Sequence, residues 1–466
     1  MRQLAGIDAY HVIEERPAQH MHTMKVLVVD AAAATAPITV ESTRRWAADR
    51  APLVPALRWR LVRVPFRLGR PFWLDSATID VDYHVVGCTV AAPGGPDELD
   101  DAISAIASTP LARDRPMWQL WVIDGLAGGQ IALAFKMHHA IADGGASVRI
   151  LEELFGALPL PGPGRDEPTP SRVQLARTAL AGQVRLWAGF PRMARRQLAS
   201  MREAAAMRRD VDVPPVTPPL SGPMTRFNRA ITPNRIYVDV TVPMRSLRDA
   251  KDALGATLND VYLTLCGGAV RRYLDERGEL PAMSLTGTSP VSLRTDAESG
   301  DYGNRISYWY VSLGTDQPDV VARLAAISRS TRAARQWAAS DRSLFTDWQD
   351  YYFLFRLLTR RLLTLTERML RRPAFNAIVS NVRGPTPLTF QGVPVVAVRS
   401  MGPIVPRECL NFTAWSYRDD LSIGIHACRE HAPDLRSLAD HLRAELAELD
   451  AATAAAATSA DYSRAQ

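Results

Sequence analysis

The 466-residue chain is poor in cysteine: Cys88, Cys266, Cys409 and Cys428 stand far apart and form no CxxC pair. That spacing excludes a disulfide framework and a thiolate zinc cluster, and it suits the reduced, buried thiols of a cytosolic protein. Long hydrophobic runs are missing too. Charge interrupts every stretch approaching about 18 apolar residues, so no spanning helix is expected. The opening MRQLAGIDAYHVIEERP lacks the apolar run and small-residue cleavage site of a secretory signal. No zinc finger, helix-turn-helix or basic-aromatic alternation accompanies the net charge of +6, so no nucleic-acid partner is expected. A GxSxG elbow is also absent, which leaves no acyl-serine candidate.

What the chain has is length and alternation. It is too long for one ordinary core, and 47% hydrophobic residues suit a chain folded over most of its length. Residues 1–160 alternate strand patterns (HTMKVLVVD, WQLWVID, QIALAFKM) with helical ones (DELDDAISAIASTPL, GGASVRILEELFGAL). A Pro/Gly-rich linker from Leu158 to Ser171 and an arginine-rich helical crossover follow, so 161–220 reads as a connection. Residues 221–450 alternate again, with NRIYVDVTV, RISYWYVSLG, VPVVAVRSM and DDLSIGIHAC as strands, and 451–466 is a low-complexity tail expected to fray. The fold class expected is α/β, with a sandwich in each half.

Between a strand and a helix start lies FKMHHAIADGG, Phe135 to Gly145. Strand alternation puts Ile131, Leu133, Phe135, Met137 and His139 on one face and His138 on the other, so the two imidazoles cannot share a role. A neutral imidazole takes a proton from an alcohol and returns one to a leaving group, which suits acyl transfer. Asp143 would fix a tautomer or pair with an arginine, and Gly144 and Gly145 permit tight geometry. The alternative is a histidine pair satisfied within the structure. Histidines on opposite faces converge poorly on one ion, so no metal is expected.

The motif resembles that of the bacterial wax ester synthase/diacylglycerol acyltransferase family, within the class that includes chloramphenicol acetyltransferase and peptide-synthetase condensation domains. Further stretches resemble the family in order: LAGIDAYHVIEE with Asp8; HMHTMKVLVVD with His20 and His22; WLDSATIDVDYHV ending near His84; and PMW at Pro116, Met117 and Trp118. The second half adds Asn228, Asn259 and Asp260, SPVSLR with Arg294, YGNRIS with Gly303 and Asn304, and IVSNVRGP from Ile378 to Pro385. Arg383 departs from the family's proline there, which leaves the acceptor open.

The resemblance implies two acyltransferase-like halves with a tunnel between them and no resident cofactor. Acyl-CoA would be the donor, and diacylglycerol or a fatty alcohol the acceptor. His139 would be the general base, with His138, Asp143 and Gly144 completing the motif. Arg294 would hold Asp143 or be a surface guanidinium, and Gly144 would open the channel or simply make a turn. Asn259 and Asp260 would support the site or cap a helix. Pro116, Trp118, Gly145, Asn381, His20 and His22 are channel candidates, although Asn381 equally suits packing and the His20–His22 pair suits a satisfied polar cluster. Lipid substrates imply a cytoplasmic protein peripheral on a membrane or lipid droplet. Two arginine-rich helical stretches are candidates for that contact: one with Leu186, Trp187, Phe190 and Met193 among Arg185, Arg192, Arg195 and Arg196, the other from Tyr351 to Arg372. Each could instead pack on its own domain. A carrier-bound, polyketide or sugar substrate, or a lipid-binding role without catalysis, are the competing functions.

Overall fold

The computed structural model describes the chain except residues 68, 77, 208–216, 219, 295–300, 341–350, 352–360, 362–364, 366–368, 370–371 and 465–466. In chain order its strands are β1 (Arg2–Gln3), β2 (His22–Asp30), β3 (Trp59–Val62), β4 (Phe72–Asp75), β5 (Val85–Thr89), β6 (Trp118–Asp124), β7 (Gln130–His138) and β8 (Arg235–Pro243). There follow β9 (Thr286–Ser292), β10 (Ile306–Ser312), β11 (Ala377–Val382), β12 (Thr389–Phe390), β13 (Val393–Met401), β14 (Leu410–Tyr417) and β15 (Asp420–Cys428). Two six-stranded sheets result, ordered β12-β13-β2-β7-β6-β5 and β10-β9-β11-β14-β15-β8, beside a small sheet β1-β4-β3.

The first sheet is not built from the first half alone. Strand β13, from the stretch assigned by sequence to the C-terminal half, pairs antiparallel with β2 from Met401↔Met24 to Val395↔Val29. This corrects the simple division at 161–220: residues 389–401 cross back to complete the N-terminal sheet. The β6–β7 hairpin forms as the alternation requires, with Trp118 opposite Met137. Strands β2 and β7 pair from His22↔His138 to Asp30↔Gln130, which brings two of the histidines side by side.

Alternation along β7 feeds two cores. Leu133, Phe135 and Met137 join Leu27, Val29, Leu120, Val122 and Trp415 on one face. Ala132 and Ala134 join Val26, Val28, Leu99, Ile103 and Tyr237 on the other. Each fully buried aliphatic side chain contributes roughly 1.5–3 kcal/mol, so a one-residue slip of β7 would expose a whole row and is strongly disfavoured. The second sheet packs against the helix Leu258–Asp275 and the final helix. That final helix runs Leu435–Arg464, so the alanine-rich stretch from 451, expected to fray, is helical.

The crossover is one 36-residue helix, Arg172–Met207, with Pro191 inside it. Of the four apolar residues singled out there, Met193 is buried, Phe190 packs against Tyr351, and Trp187 is exposed. The second proposed interfacial stretch, 351–372, lies almost wholly outside the described residues. Among the described residues no helix is long and apolar enough to cross a membrane.

Candidate active site

Strand β7 ends at His138, and a turn follows in which His139 N–H donates to Met21 O at 2.7 Å and Ile141 N–H to His138 O at 3.0 Å. The two rings leave the backbone in different directions. His138 is 1% exposed; its Nδ1 accepts from Ala140 N–H at 3.0 Å, and its Nε2 lies 3.5 Å from Glu15 Oε2. The same carboxylate lies 3.4 Å from His22 Nε2 and pairs with Arg113. Burial and the Arg113 charge push the His138 pKa down to about 3, so it is a neutral structural ring.

His139 is only partly buried, and its Nδ1 lies 3.1 Å from Asn304 Oδ1. The Asn304 amide is fixed by its other contacts: Nδ2–H donates to Asp8 Oδ1 at 2.8 Å and to His139 O at 2.7 Å. Its backbone N–H also donates to Asp8 Oδ1, at 3.0 Å. With the amide nitrogen so committed, the side-chain oxygen faces His139 and can only accept. The proton therefore sits on Nδ1, and Nε2 carries the free lone pair. Burial lowers the His139 pKa to about 4, and the buried Lys25 ammonium and His138 push the same way, so the ring is neutral at physiological pH. His11 packs on it, with ring centroids 4.6 Å apart. Burial raises the Asp8 carboxyl to about 7 despite its two donors.

Asp143 holds the loop. Its Oδ1 accepts from Ala146 N–H at 2.8 Å and caps the helix Gly144–Phe155; its Oδ2 accepts from Arg294 Nη2 at 3.0 Å and from Arg305 N–H at 2.9 Å. Arg294 Nη2 also donates to Gly303 O at 2.7 Å, and Gly303 N–H to Ile141 O at 3.0 Å. Gly303 is required at φ +87°, where an added Cβ would come within 3.1 Å of Asp8. Breaking a buried pair such as Asp143–Arg294 leaves an uncompensated charge, a loss of about 3–5 kcal/mol. Gly144 lies so close to β11 that a Cβ would meet Val382 Cγ2 at 2.7 Å, whereas Gly145 is exposed and has room.

Several expected site residues lie elsewhere. Trp118 is 1% exposed, stacks on His84 at 4.1 Å and donates its indole N–H to Leu57 O at 2.9 Å; it is a core residue rather than a channel wall, and Pro116 beside it is buried. His20 and His22 are buried and stack on each other at 5.2 Å, with His20 Nδ1 3.5 Å from Ala107 O and neither ring nitrogen of His22 hydrogen-bonded among the described residues; desolvation lowers both pKa values. Asp260 completes a capping box with Thr257 and accepts from Thr331 at 2.6 Å, so it ties two helices of the second half together instead of supporting the histidine loop. Asn259 is half-buried on the same turn. Asn381 is exposed on β11, as is Arg383 just after it, and among the described residues no hydrogen bond joins Asn381 to His139. Sequence reasoning named Asp8 and Asn304 only as motif members and missed Glu15, Arg113, His11 and Lys25.

The comparisons with known proteins bear on the whole chain rather than on this site. The wax ester synthase/diacylglycerol acyltransferase catalytic domain model matches residues 4–262, and the model of the family's C-terminal domain matches residues 302–450. The chain belongs to this family. Two Mycobacterium tuberculosis relatives, each named "Putative diacyglycerol O-acyltransferase", are similar throughout: one is 32% identical over 91% of this chain and 91% of its own. The other is 31% identical over 96% and 90%. Among solved structures, the wax ester synthase/diacylglycerol acyltransferase from Marinobacter aquaeolei VT8 has a TM-score of 0.70 at 24% identity, covering 97% of this chain and all of that one. The first condensation domain of the CDA synthetase has a TM-score of 0.59 at 17% identity, covering 97% and 96%. At those identities the structures show the shared fold, and the family models carry the membership.

Proposed function

We propose that this family member transfers a long-chain acyl group from acyl-CoA to the hydroxyl of diacylglycerol, and to a fatty alcohol where one is offered, with His139 as general base. The observation that carries the reading is the 3.1 Å contact of His139 Nδ1 with Asn304 Oδ1, in an amide that Asp8 fixes in turn, which favours the Nδ1–H tautomer. Nε2 takes the acceptor's hydroxyl proton as its oxygen attacks the thioester carbonyl carbon. The tetrahedral intermediate collapses by breaking the C–S bond, and the imidazolium returns the proton to the departing thiolate. The products are an ester and free CoA, with no covalent enzyme intermediate and no metal in the step. The depressed His139 pKa keeps the base unprotonated before reaction. The imidazolium that forms lies beside a newly negative oxygen, which offsets its desolvation.

The test is thiol release from palmitoyl-CoA by purified protein with diacylglycerol, hexadecanol or no acceptor, repeated with His139→Ala. Acceptor-dependent release that falls roughly 10²-fold or more in the variant is expected. Equal release by folded wild type and variant with every acceptor would overturn the reading. Family membership supports the donor and reaction class; the curated relatives' names support diacylglycerol as acceptor.

A further inference from the structure

The helix Arg172–Met207 carries apolar residues on two opposite faces. At about 100° per residue, buried Leu175, Ala179 and Met193 fall within roughly 40° of one another. Leu175 and Ala179 pack on Val64 and Phe72, beside the small sheet. On the opposite side, Val173, Leu180, Val184, Trp187 and Leu198 fall within an arc of roughly 60° and are 54–64% exposed. The first four precede Pro191, so their alignment does not depend on any bend there. Five large apolar side chains lining one exposed stripe are a patch, unlike the scattered exposed residues of an ordinary surface.

Charge says what covers it. From Arg172 to Arg202 the helix has seven arginines (172, 177, 185, 192, 195, 196 and 202) and no Asp or Glu; the first acidic residue is Glu203. Arg177, Arg195 and Arg202 border one edge of the stripe, and Arg192, Arg185 and Arg196 lie roughly 80–120° beyond that edge, all of them exposed where described. An apolar stripe flanked by cations and free of acids complements an anionic bilayer surface, with side chains in the acyl boundary and guanidinium groups at the phosphates. A coiled-coil partner would instead call for charges of both signs along the flanks.

The helix also stands near a cavity that borders the site. Gly69 lies against Ala179 and Gly182 against Gln3. Gln3, Arg2 and Arg70 line a cavity of about 650 Å³ whose wall includes Asp8 and Asn304, the two residues that orient His139. We propose that the Val173–Leu198 stripe seats the protein on an anionic lipid surface, bringing this cavity to the interface where a bilayer-dissolved substrate arrives. The inference rests on the acyltransferase reading only for the identity of that substrate.

The experiment is cosedimentation of the full chain with phosphatidylcholine vesicles with and without about one-third phosphatidylglycerol, at low and high salt. Wild type is expected to bind the anionic vesicles, to weaken at high salt, and to lose at least tenfold in partition in the triple variant Leu180→Ser/Val184→Ser/Trp187→Ser. The replaced residues are more than half exposed, so the fold is expected to persist, checked by an unchanged melting temperature. Acyl transfer to diacylglycerol in anionic vesicles should fall with the partition, while transfer to a detergent-dispersed acceptor stays at the wild-type rate. Vesicle binding undiminished in the folded triple variant would overturn the proposal. So would a wild type that sediments as a dimer while the variant is monomeric, because the stripe would then join two copies. Vesicle binding by a wild type that transfers no acyl group would leave the docking surface standing and refute the function instead.

Discussion

Replacing Asn304 by alanine isolates the step that makes His139 a base. The side chain makes three hydrogen bonds: it accepts from His139 Nδ1–H at 3.1 Å and donates to Asp8 Oδ1 at 2.8 Å and His139 O at 2.7 Å. One neutral hydrogen bond is worth a net 0.5–1.5 kcal/mol, so losing the first shifts the tautomer ratio by roughly two- to twelvefold. Losing the second and third releases the ring's orientation and leaves the buried Asp8 short of a donor, which adds a similar amount. The expected fall in kcat is therefore about 10- to 10²-fold, smaller than the loss from removing the imidazole itself. KM for palmitoyl-CoA should stay within about twofold if Asn304 acts only through His139. The assay is steady-state thiol release with diacylglycerol in detergent across pH 5–8. A folded Asn304→Ala enzyme with wild-type kcat throughout would refute the claim that this amide sets the tautomer.

Other expectations follow from the same contacts. Asp143→Ala removes a helix cap and strands Arg294, so urea unfolding should show a loss of about 3–5 kcal/mol, and Arg294→Gln in the same chain should recover part of it. Gly144→Ala drives a methyl into Val382 Cγ2, at 2.7 Å, and should destabilise by about 1–3 kcal/mol in urea unfolding; adding Val382→Ala should relieve this clash and recover part of that loss. Lys25 is buried, donates to Thr23 Oγ1 at 2.7 Å and Ser400 Oγ at 2.9 Å, and is pushed down to about 7 by desolvation. Between that value and the unfolded lysine range the unfolded chain binds the extra proton, so stability rises with pH. Lys25→Met should flatten this rise by roughly 2 kcal/mol between pH 7 and 9, read from denaturation curves at each pH.

The local chemistry of the histidine motif was legible because it is written in adjacent residues. Strand alternation alone required the two imidazoles to diverge, and Asp143 reads as fixing a tautomer or pairing with an arginine, whereas its cap on the helix Gly144–Phe155 appears only in the structure. Arg294 was reachable only through the family resemblance, since 151 positions separate it from the carboxylate it pairs with. Glu15 sits in HVIEERP, where nothing distinguishes it from a surface glutamate; its role appears only when the β2–β7 register sets His22 beside His138. Trp118 misled for a related reason: its motif is real, but its side chain points into the core. Strand β9, TGTSPVS, has polar and turn-forming composition, and its pairing with β10 and β11 overrides that local preference. The return of β13 to the first sheet is invisible to any pattern, because a strand's sequence does not say which edge it joins.

That returning strand also sets an order of events during synthesis. His138 and His139 leave the ribosome more than 260 residues before Met401, a wait of roughly 15–50 s at ordinary elongation rates. Throughout it, β2 holds β7 on one side and offers a bare row of backbone donors and acceptors on the other, the kind of edge that recruits strands from other chains. A nascent or truncated first half is therefore a sticky object rather than a small stable domain. Cells that make this protein must keep that edge occupied, by a chaperone or by speed, until the chain's own late strand arrives to cover it.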